Sequence, residues 1–433
     1  MKTIVTIFLV LIWGFQAMGQ EKFKPNYDES KVPEYTLPDP LVTENGTIVD
    51  SPEMWFKLRR QEIMSMFVTE MFGKTPENGN LSIRYELISE TKDALSGKAI
   101  RREVRFFPLK DNDAFFLDLL IYTPKNQNSA VPTFLALNFQ GNHAATLEPG
   151  IMSSVSMRQN TDYRGKTDEE ITQEVEKLRG VQERRWPFET IIDRGYGVVM
   201  CCNFDIDPDF HDGFQNGIHP FYDKKAEKRG PDAWGTIAAW AWGLSRILDY
   251  LETDALVDAK RVAVFGHSRL GKTALWAGAT DERFAMVISN NSGCGGAAIS
   301  KRAFGETVGR INTAFPHWFC ENFTKYNNNE AALPFDQHEL IALIAPRPVY
   351  IASAEQDQWA DPKGEFLAAI HADPVYRLLG TDGIASVTEM PPLNTSVGGT
   401  IHYHYRTGEH DVTDYDWDQY LDFADQHLRL GIK

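Results

Sequence analysis

One corner of the chain constrains its fold more than any other feature. Residues 262–276 read VAVFGHSRLGKTALW, so a short apolar run enters a tight Gly-His-Ser-Arg turn and an alanine-rich stretch follows. The apolar run predicts a buried strand, and the stretch after the turn has the composition of a helix. A strand that turns sharply into a helix, with Ser268 at the apex, predicts a protein of the α/β class.

Strands and helices alternate along most of the chain. A first helix is predicted from Trp55 to Phe72, with Gly73 ending it. Later strands are predicted in SIRYELI, REVRFFPL, AFFLDLLIYTP, PTFLALNF, GYGVVMCCNF, RVAVF, FAMVISNNS and PRPVYIASA, and later helices in FETIIDR, WGTIAAWAWGLSRILDYL and WDQYLDFADQHLRL. An antiparallel beginning followed by this alternation predicts a mostly parallel central sheet with helices on both faces.

The length and composition of the chain fit one large domain. Its 433 residues, 42% of them hydrophobic, can bury a sizeable core. We find no internal repeat, low-complexity tract or linker after residue 50. Residues 51–433 are therefore predicted to form a single domain, and the polar, proline-rich residues 20–50 an extended lead-in.

The first residues have the pattern of a secretory signal. A lysine precedes an apolar run from Ile4 to Phe15, and small residues follow up to Gly19. This order predicts a signal peptide over residues 1–19; the alternative, a membrane helix, needs a longer apolar run. No later stretch is long and apolar enough to span a bilayer. The protein is expected to be exported, to a periplasm or out of the cell.

The charge and the cysteines exclude several other classes of protein. The net charge of −16, without any block of Lys or Arg, excludes a nucleic-acid partner. Cys201 and Cys202 are expected to be buried thiols, whereas a bridge between Cys294 and Cys320 stays open. The sequence contains no CxxC pair, the spacing that would indicate a metal site. We expect a monomer without a cofactor.

One further metal motif is incomplete. The sequence HELIA begins like the zinc motif H-E-x-x-H, but Ala342 stands where the second histidine is required. A metallohydrolase is therefore not supported.

The serine corner has the order of the nucleophile elbow of α/β-hydrolases. Such a turn lifts the hydroxyl above the carboxyl edge of the sheet, and the helix behind it offers N–H groups to an oxyanion. Here the motif runs G-H-S-R-L-G from Gly266 to Gly271, with Leu270 where the usual G-x-S-x-G has glycine. A purely structural turn is the alternative reading of this motif.

The acid of a hydrolase triad is expected in a loop after a later strand of the sheet. EQDQWADPKGEF follows PRPVYIASA and contains two aspartates, Asp357 and Asp361. Asp361 precedes Pro362 and a helical stretch, so it is predicted to cap that helix. Asp357 is therefore the better candidate for the catalytic acid, with a solvated loop carboxylate as the alternative.

The histidine of a triad is expected in the loop before the last helix. RTGEHDVTDYDW places His410 there. His402 and His404 compete, but they alternate as residues of a strand do. His267, fixed beside the serine, is expected to pack against the elbow or orient it.

These residues define an acyl-transfer mechanism. Ser268 would attack an acyl carbon while His410 takes its proton, and Asp357 would hold the imidazole in the required tautomer. The stretch LALNFQGNHAA resembles an oxyanion loop with N–H groups near Gly141 and Asn142, although a plain strand-to-loop turn fits it equally well.

Two cations follow the serine. Arg269 adds a permanent charge with five donors, and Lys272 lies one helical turn after Ser268. Two cations at an acyl site indicate an oxygen-rich substrate or an oxyanion that needs extra stabilisation. Solvated surface charges are the alternative.

Several segments together resemble one known family. GHSRLGKTALWAGATDERFA, NNSGCGG, FGETVGRINTAFPHWFCENF, LPFDQHELIALIAPRPVYIASAEQDQWADP and GEHDVT are similar to the bacterial glucuronoyl esterases of carbohydrate esterase family 15, over roughly residues 50–430. The resemblance implies an α/β-hydrolase that needs no metal. It implies cleavage of the ester between (4-O-methyl-)glucuronic acid on xylan and a lignin alcohol, so a glucuronoxylan–lignin ester is the expected partner.

The resemblance also implies roles for single residues. It implies Ser268 as nucleophile, His410 as base and Arg269 as an aid to the oxyanion. Sugar hydroxyls would be bound by three further residues: Lys272, Glu306 and Trp359.

The chain departs from the family in one catalytic position. Many members carry a glutamate in the stretch that resembles SNNSGCGG, where this sequence has Asn291. An amide cannot stabilise an imidazolium by charge, so Asp357, the other acid position that the family uses, must serve. Two alternatives stay open: an acetyl-xylan or feruloyl esterase of the same fold, and an inactive hydrolase that binds glycans.

Overall fold

A computed structural model describes residues 23–77, 81–223 and 228–429. The predicted signal peptide, residues 1–19, lies outside the described residues. In the described part, no helix combines the length and the hydropathy that crossing a membrane requires.

A ten-stranded sheet runs through the domain. Its strands are β1 (Leu81–Asp93), β2 (Ala99–Leu109), β3 (Leu117–Pro124), β4 (Val131–Asn138), β5 (Gly197–Cys202), β6 (Val257–His267), β7 (Met286–Asn290), β8 (Val349–Ala354), β9 (Thr395–Gly398) and β10 (Ile401–Arg406). Their order across the sheet is β1-β2-β3-β5-β4-β6-β7-β8-β10-β9. The pairs β1/β2, β2/β3, β3/β5 and β9/β10 are antiparallel. The six central strands, which lie in the order β5-β4-β6-β7-β8-β10, pair in parallel, as predicted.

Helices cover both faces of this sheet. They are α1 (Pro52–Met54), α2 (Arg60–Phe67), α3 (Ala94–Gly97), α4 (Asp168–Glu176), α5 (Phe188–Asp193), α6 (Asn203–Ile206), α7 (His219–Tyr222), α8 (Thr236–Leu251), α9 (Arg269–Thr280), α10 (Val308–Ala314), α11 (Gln337–Ala342), α12 (Pro362–Leu378) and α13 (Asp414–His427). One core cluster contains Trp240 of α8 and Trp276 of α9, and a second contains Trp417 and Tyr420 of α13. The fold is that of the α/β-hydrolases.

The sequence of the central strands reflects this double cover. Every residue of β4, β5, β7 and β8 is buried. A parallel strand covered by helices on both faces has no solvent side, so its sequence is a continuous apolar run rather than an alternation. This is why PTFLALNF and FAMVISNNS predicted strands correctly.

The first predicted helix is also confirmed. It runs through α1 and α2 with π-helical turns at Trp55–Arg59 and Val68–Phe72, and Gly73 ends it with φ 86°. A Cβ at Gly73 would lie 2.4 Å from the Cα of Trp234, so only glycine permits this close approach of two backbones.

The lead-in is attached to the domain rather than free. The Nε2 atom of His338 lies 2.9 Å from the carbonyl oxygen of Pro38, and the N–H of Gly305 donates to the carbonyl oxygen of Asn26 at 2.8 Å. His338 and Glu339 of the HELIA stretch thus serve packing, since Glu339 pairs with buried Arg59 at 2.6 Å.

The structure also answers the question of the cysteines. Cys201, Cys202, Cys294 and Cys320 are all buried free thiols. The bridge that the sequence left open between Cys294 and Cys320 is not formed.

Candidate active site

Ser268 occupies the strained turn between β6 and α9. Its φ of 58° and ψ of −128° lie in a region that residues other than glycine rarely adopt. Its N–H donates to the carbonyl oxygen of Asn290 at 2.8 Å, and its own carbonyl accepts from the N–H of Gly271 at 2.8 Å. These bonds fix the serine at the carboxyl edge of the sheet, as the elbow prediction requires.

The two glycines of the motif explain why Leu270 is tolerated. A Cβ at Gly266 would lie 1.9 Å from the carbonyl oxygen of Leu270, so the backbone crosses there and glycine is obligatory. A Cβ at Gly271 would lie 3.0 Å from that of Ser292, so the close approach to the strand end falls one residue later than in G-x-S-x-G. The side chain of Leu270 instead packs into the core.

The structure brings Ser268, His410 and Asp357 to one place. Ser268, Arg269 and His410 line the same cavity of about 580 Å³. The Nδ1 atom of His410 lies 2.5 Å from Oδ2 of buried Asp357. A carboxylate only accepts, so Nδ1 carries the proton and Nε2 stays available to accept one.

Asn291 contacts the same carboxylate. Its Nδ2 donates to Oδ2 of Asp357 at 3.0 Å, so one oxygen receives both the amide and the imidazole. Asn291 has φ 48° and lies just beyond the end of β7. The amide therefore does not replace the acid but holds it.

The competing histidines have other partners. His404 is buried in β10, where its Nε2 lies 2.8 Å from Oδ1 of Asp416. His402 lies on the same strand, with its Nε2 2.8 Å from the hydroxyl of Ser396. Both are committed to the sheet, as their alternation predicted.

His267 packs directly against His410, with ring centroids 4.6 Å apart. Its Nδ1 lies 2.6 Å from Oδ1 of Asn290, whose Nδ2 donates to the hydroxyl of Tyr420 at 2.8 Å. Burial, and then the neighbouring His410, hold the pKa of His267 well below its usual value. His267 is therefore neutral, which spares His410 a second positive charge beside it.

Arg269 is held by a buried acid that the sequence did not reveal. It forms an ion pair with Asp209, and its guanidinium lies 5.0 Å from the ring centre of Trp318. Asp209 also accepts from Nε2 of His317 at 3.1 Å and from Nε1 of Trp318 at 2.8 Å. Burial alone would raise the pKa of Asp209, but these hydrogen bonds and the charge of Arg269 outweigh it and lower the pKa.

The three residues implied to bind sugar form a second cluster beside Arg269. The N–H of Glu306 donates to the carbonyl oxygen of Trp359 at 3.0 Å. Burial raises the pKa of Glu306, while the charge of Lys272 and a hydrogen bond from Trp359 oppose this rise. Burial lowers the pKa of Lys272, against the charge of Glu306, and its Nζ donates to the carbonyl oxygen of Ser292.

Only part of the stretch expected to supply an oxyanion loop lies at the cavity. Phe139 and Gln140 line the cavity with Ser268. Asn142 is buried instead, and its Nδ2 donates to the carbonyl oxygen of Asp118 at 2.7 Å. Gly141 has φ 92° and turns the chain into a short 3₁₀ helix. A role of these two residues at an oxyanion stays a prediction.

These features together define a class of protein. An α/β-hydrolase fold, a strained serine elbow and an adjacent histidine–aspartate pair are the parts of a serine-dependent ester hydrolase.

Comparisons with known proteins identify the family. A sequence model described as glucuronyl esterase of fungi matches residues 197–380. Carbohydrate esterase MZ0003, from an unknown prokaryotic organism, is 52% identical over 411 residues, which cover 94% of this chain and 93% of that protein. The 4-O-methyl-glucuronoyl methylesterase 1 of Wolfiporia cocos is 37% identical over 196 residues, or 43% of this chain and 47% of the relative.

Solved structures agree with the sequence relatives. A CE15 esterase from a marine bacterial metagenome, described as promiscuous, superposes with a TM-score of 0.85 at 51% identity, covering 93% of this chain and 100% of that one. The glucuronoyl esterase from Solibacter usitatus superposes with a TM-score of 0.86 at 46% identity, covering 92% and 100%. This chain belongs to the glucuronoyl esterases, carbohydrate esterase family 15, and is a carboxylic ester hydrolase.

Proposed function

We propose that this protein hydrolyses the ester between (4-O-methyl-)glucuronic acid side chains of xylan and lignin alcohols. The observation that carries the proposal is the Lys272–Glu306–Trp359 cluster, one helical turn from Ser268 and within electrostatic reach of Arg269. An ammonium and a carboxylate that interact with each other, with an indole hydrogen-bonded to the carboxylate, suit the hydroxyls of a sugar ring whose carboxyl carbon lies at the serine. The names of the relatives support this assignment.

The reaction follows from the roles proposed for the triad. Ser268 attacks the ester carbon, and its proton passes to Nε2 of His410 while Asp357 stabilises the imidazolium. Collapse of the tetrahedral intermediate breaks the ester bond, and the alcohol leaves with the proton from His410. Water, activated by the same histidine as a base, then attacks the acyl-enzyme and releases the uronate.

Arg269 is proposed to stabilise the oxyanion. It directly follows the nucleophile, and its side chain, only partly exposed, reaches the same cavity. A cation fixed before the reaction stabilises developing negative charge without having to reorganise.

The cavity of about 580 Å³ is proposed to receive the alcohol. Lys272, Glu306 and Trp359 are not among its lining residues, and we propose that the sugar and the alcohol lie on different sides of Ser268. Its walls combine polar groups with the apolar side chains of Phe139, Met157, Tyr163, Leu178, Phe204 and Phe210. Such walls suit an aryl alcohol that also carries hydroxyl or methoxyl groups.

Export through a signal peptide is part of the proposal. It rests on the lysine and the apolar run that precede residue 19. The first residue of the mature protein, read by N-terminal sequencing, tests the predicted cleavage near Gly19 or Gln20.

The proposed substrate is tested with two esters in parallel. We expect the protein to release glucuronic acid from benzyl glucuronate with a higher kcat/KM than it releases acetate from an aryl acetate. Hydrolysis of the acetate alone would keep the fold and triad but assign the protein to the acetyl-xylan or feruloyl esterases. The structural relative described as promiscuous makes this second measurement necessary.

A variant of the arginine separates stabilisation of the transition state from binding of the substrate. Arg269→Ala should lower kcat on benzyl glucuronate by roughly 10²- to 10³-fold, with a small change in KM, because the oxyanion exists only after attack. Steady-state kinetics of both variant and wild type give the two parameters. A rise in KM with unchanged kcat would instead assign Arg269 to ground-state binding.

Asp209→Asn provides the matched variant for the same site. It keeps the guanidinium but removes the charge that holds it, so we expect a smaller loss in the same parameter, kcat. If Asp209→Asn lowers kcat equally with and without Arg269→Ala, the two residues do not act together.

A further inference from the structure

The lead-in carries two exposed aromatic side chains next to the proposed sugar cluster. Phe23 is 37% exposed and Tyr27 is 52% exposed. The ring of Phe23 meets that of Trp359 edge-on at 5.9 Å between centroids, and Tyr27 meets Phe304 at 6.1 Å. Single exposed aromatics are ordinary, but a group of them at the border of a binding cluster indicates a ligand surface.

These aromatics stand on a fixed segment. The carbonyl oxygen of Asn26, between them, accepts from the N–H of Gly305 at 2.8 Å, one residue before Glu306. Glu29 pairs with Lys363 at 2.7 Å and with buried Arg302, which also donates to Asp361 at 2.8 Å. Two anchors therefore hold the segment against the loops that carry Glu306 and Trp359.

The segment also lies close to the catalytic acid. Partial burial, followed by the negative charge of Asp357, raises the pKa of the Tyr27 phenol. On the other side, the guanidinium of Arg310 lies 5.8 Å from the ring centre of Phe23. The aromatic rings thus extend the border of the sugar cluster outward from Trp359, on the side that faces solvent.

The position of this surface matches the geometry of the substrate. In the proposed function, the carboxyl carbon of the uronate lies at Ser268, and the glycosidic bond leaves the ring at C1, across the ring oxygen from the carbon that bears the carboxyl. The xylan backbone therefore begins one sugar away from the serine, beyond the residues that bind the uronate. Xylosyl rings are uncharged, and their C–H faces pack on aromatic rings without any ionic partner.

We propose that Phe23 and Tyr27 form an aromatic wall, a subsite for the xylosyl residues of the xylan backbone that carry the esterified uronate. The proposal rests on the proposed function, because it places the uronate at Glu306 and Trp359. It gives the lead-in a part in substrate selection that its composition alone does not indicate.

The wall is tested with substrates that differ only in the backbone. One is the methyl ester of 4-O-methyl-glucuronic acid, and the other is the same ester carried on xylotriose. We expect the double variant F23A/Y27A to raise KM for the xylotriose-borne ester by roughly 5- to 20-fold, the loss of two partly exposed ring contacts. The KM for the monosaccharide ester should stay within about twofold of the wild type.

Two controls keep the result specific. Ile48→Ala removes an apolar side chain of the same lead-in that is 71% exposed, and it should change neither KM. Phe23→Leu keeps apolar bulk but loses the ring, so it should reproduce most of the rise in KM for the xylotriose-borne ester that Phe23→Ala causes. Thermal unfolding of each variant shows whether the segment stays attached.

The outcomes that overturn the wall are distinct. Equal changes in KM for both esters, or no change for either, would mean that the aromatic side chains do not bind the xylan backbone. A change that appears with a benzyl but not a methyl ester of the monosaccharide would assign the aromatics to the alcohol.

A binding measurement separates the wall from the proposed function. If the wild type hydrolyses neither ester, the proposed function fails. Titration of Ser268→Ala with xylotriose carrying free glucuronic acid, with and without F23A/Y27A, then tests the wall by itself. Equal affinity of both proteins would overturn it.

Discussion

Ser268→Ala should lower kcat on benzyl glucuronate by roughly 10⁴- to 10⁶-fold, because it removes the hydroxyl that is proposed to form the acyl-enzyme. The remaining activity would come from water attacking an ester that is still bound beside Arg269 and the helix amino terminus. KM should change little, because the hydroxyl contributes little to binding the sugar. Steady-state kinetics give kcat and KM, and rapid mixing shows whether the burst of alcohol that marks an acyl-enzyme is lost.

A second serine provides the matched control. Ser289 lies on β7 beside the elbow, is fully buried, and its hydroxyl has no hydrogen-bond partner among the described residues. Ser289→Ala removes a hydroxyl from the neighbouring strand, so its kcat should stay within about threefold of the wild type. Equal losses in both variants would indicate damage to the elbow rather than loss of a nucleophile. Full activity of Ser268→Ala would mean that the nucleophile lies elsewhere and would overturn the proposed mechanism.

The sequence predicted the parts of the site that depend on local order. The elbow follows from a buried strand, a crossing that only Gly266 permits, and a helix. The choice of Asp357 over Asp361 follows from capping, and the structure places the Asp361 side chain 3.0 Å from the N–H of Gly364 in the first turn of α12. His410 follows from its place between the last parallel strand and the last helix. Each of these inferences needs only a few neighbouring residues.

What the sequence could not predict depends on contacts between distant segments. Asp209 lies 60 residues before Arg269, and no spacing or motif connects them. The packing of the lead-in against Trp359 spans more than 300 residues and depends on the final shape of two loops. The small strand β9 was missed because TSVG is short and half-exposed, so it has neither an apolar run nor a clear alternation. Such features appear only when the whole chain is folded.

The structure also changes the interpretation of Asn291. In the sequence, Asn291 is a departure from the resemblance, because many family members carry a glutamate at this position. In the structure its amide donates to Asp357, the proposed acid, and its own Oδ1 is buried without a hydrogen-bond partner among the described residues. Of positions 291 and 357, only Asp357 brings a negative charge to His410. Two carboxylates at this distance would repel each other, and one would take up a proton.

Asp357→Asn should lower kcat by roughly 10²- to 10⁴-fold, because an amide cannot stabilise the imidazolium that forms when His410 takes the serine proton. The amide can also present its N–H to Nδ1 of His410, which favours the wrong tautomer. The measurement is kcat on benzyl glucuronate. Glu355→Gln, in the same loop, is the matched carboxylate-to-amide control and should retain nearly full activity. Near-wild-type activity of Asp357→Asn would mean that the acid lies elsewhere.

Moving the charge tests the same assignment in the opposite direction. Asn291→Glu places a carboxylate at the position where the resemblance to the family predicts a glutamate. In the Asp357→Asn background it should recover kcat by about tenfold or more, because stabilising the imidazolium requires a negative charge near His410 and not one particular side chain. In the wild-type background the same substitution places two carboxylates against each other and should lower the free energy of unfolding, measured by denaturant titration. No recovery in the double variant, with an intact fold, would show that only the Asp357 loop can present the acid to His410. The geometry of that loop would then decide where the negative charge must lie.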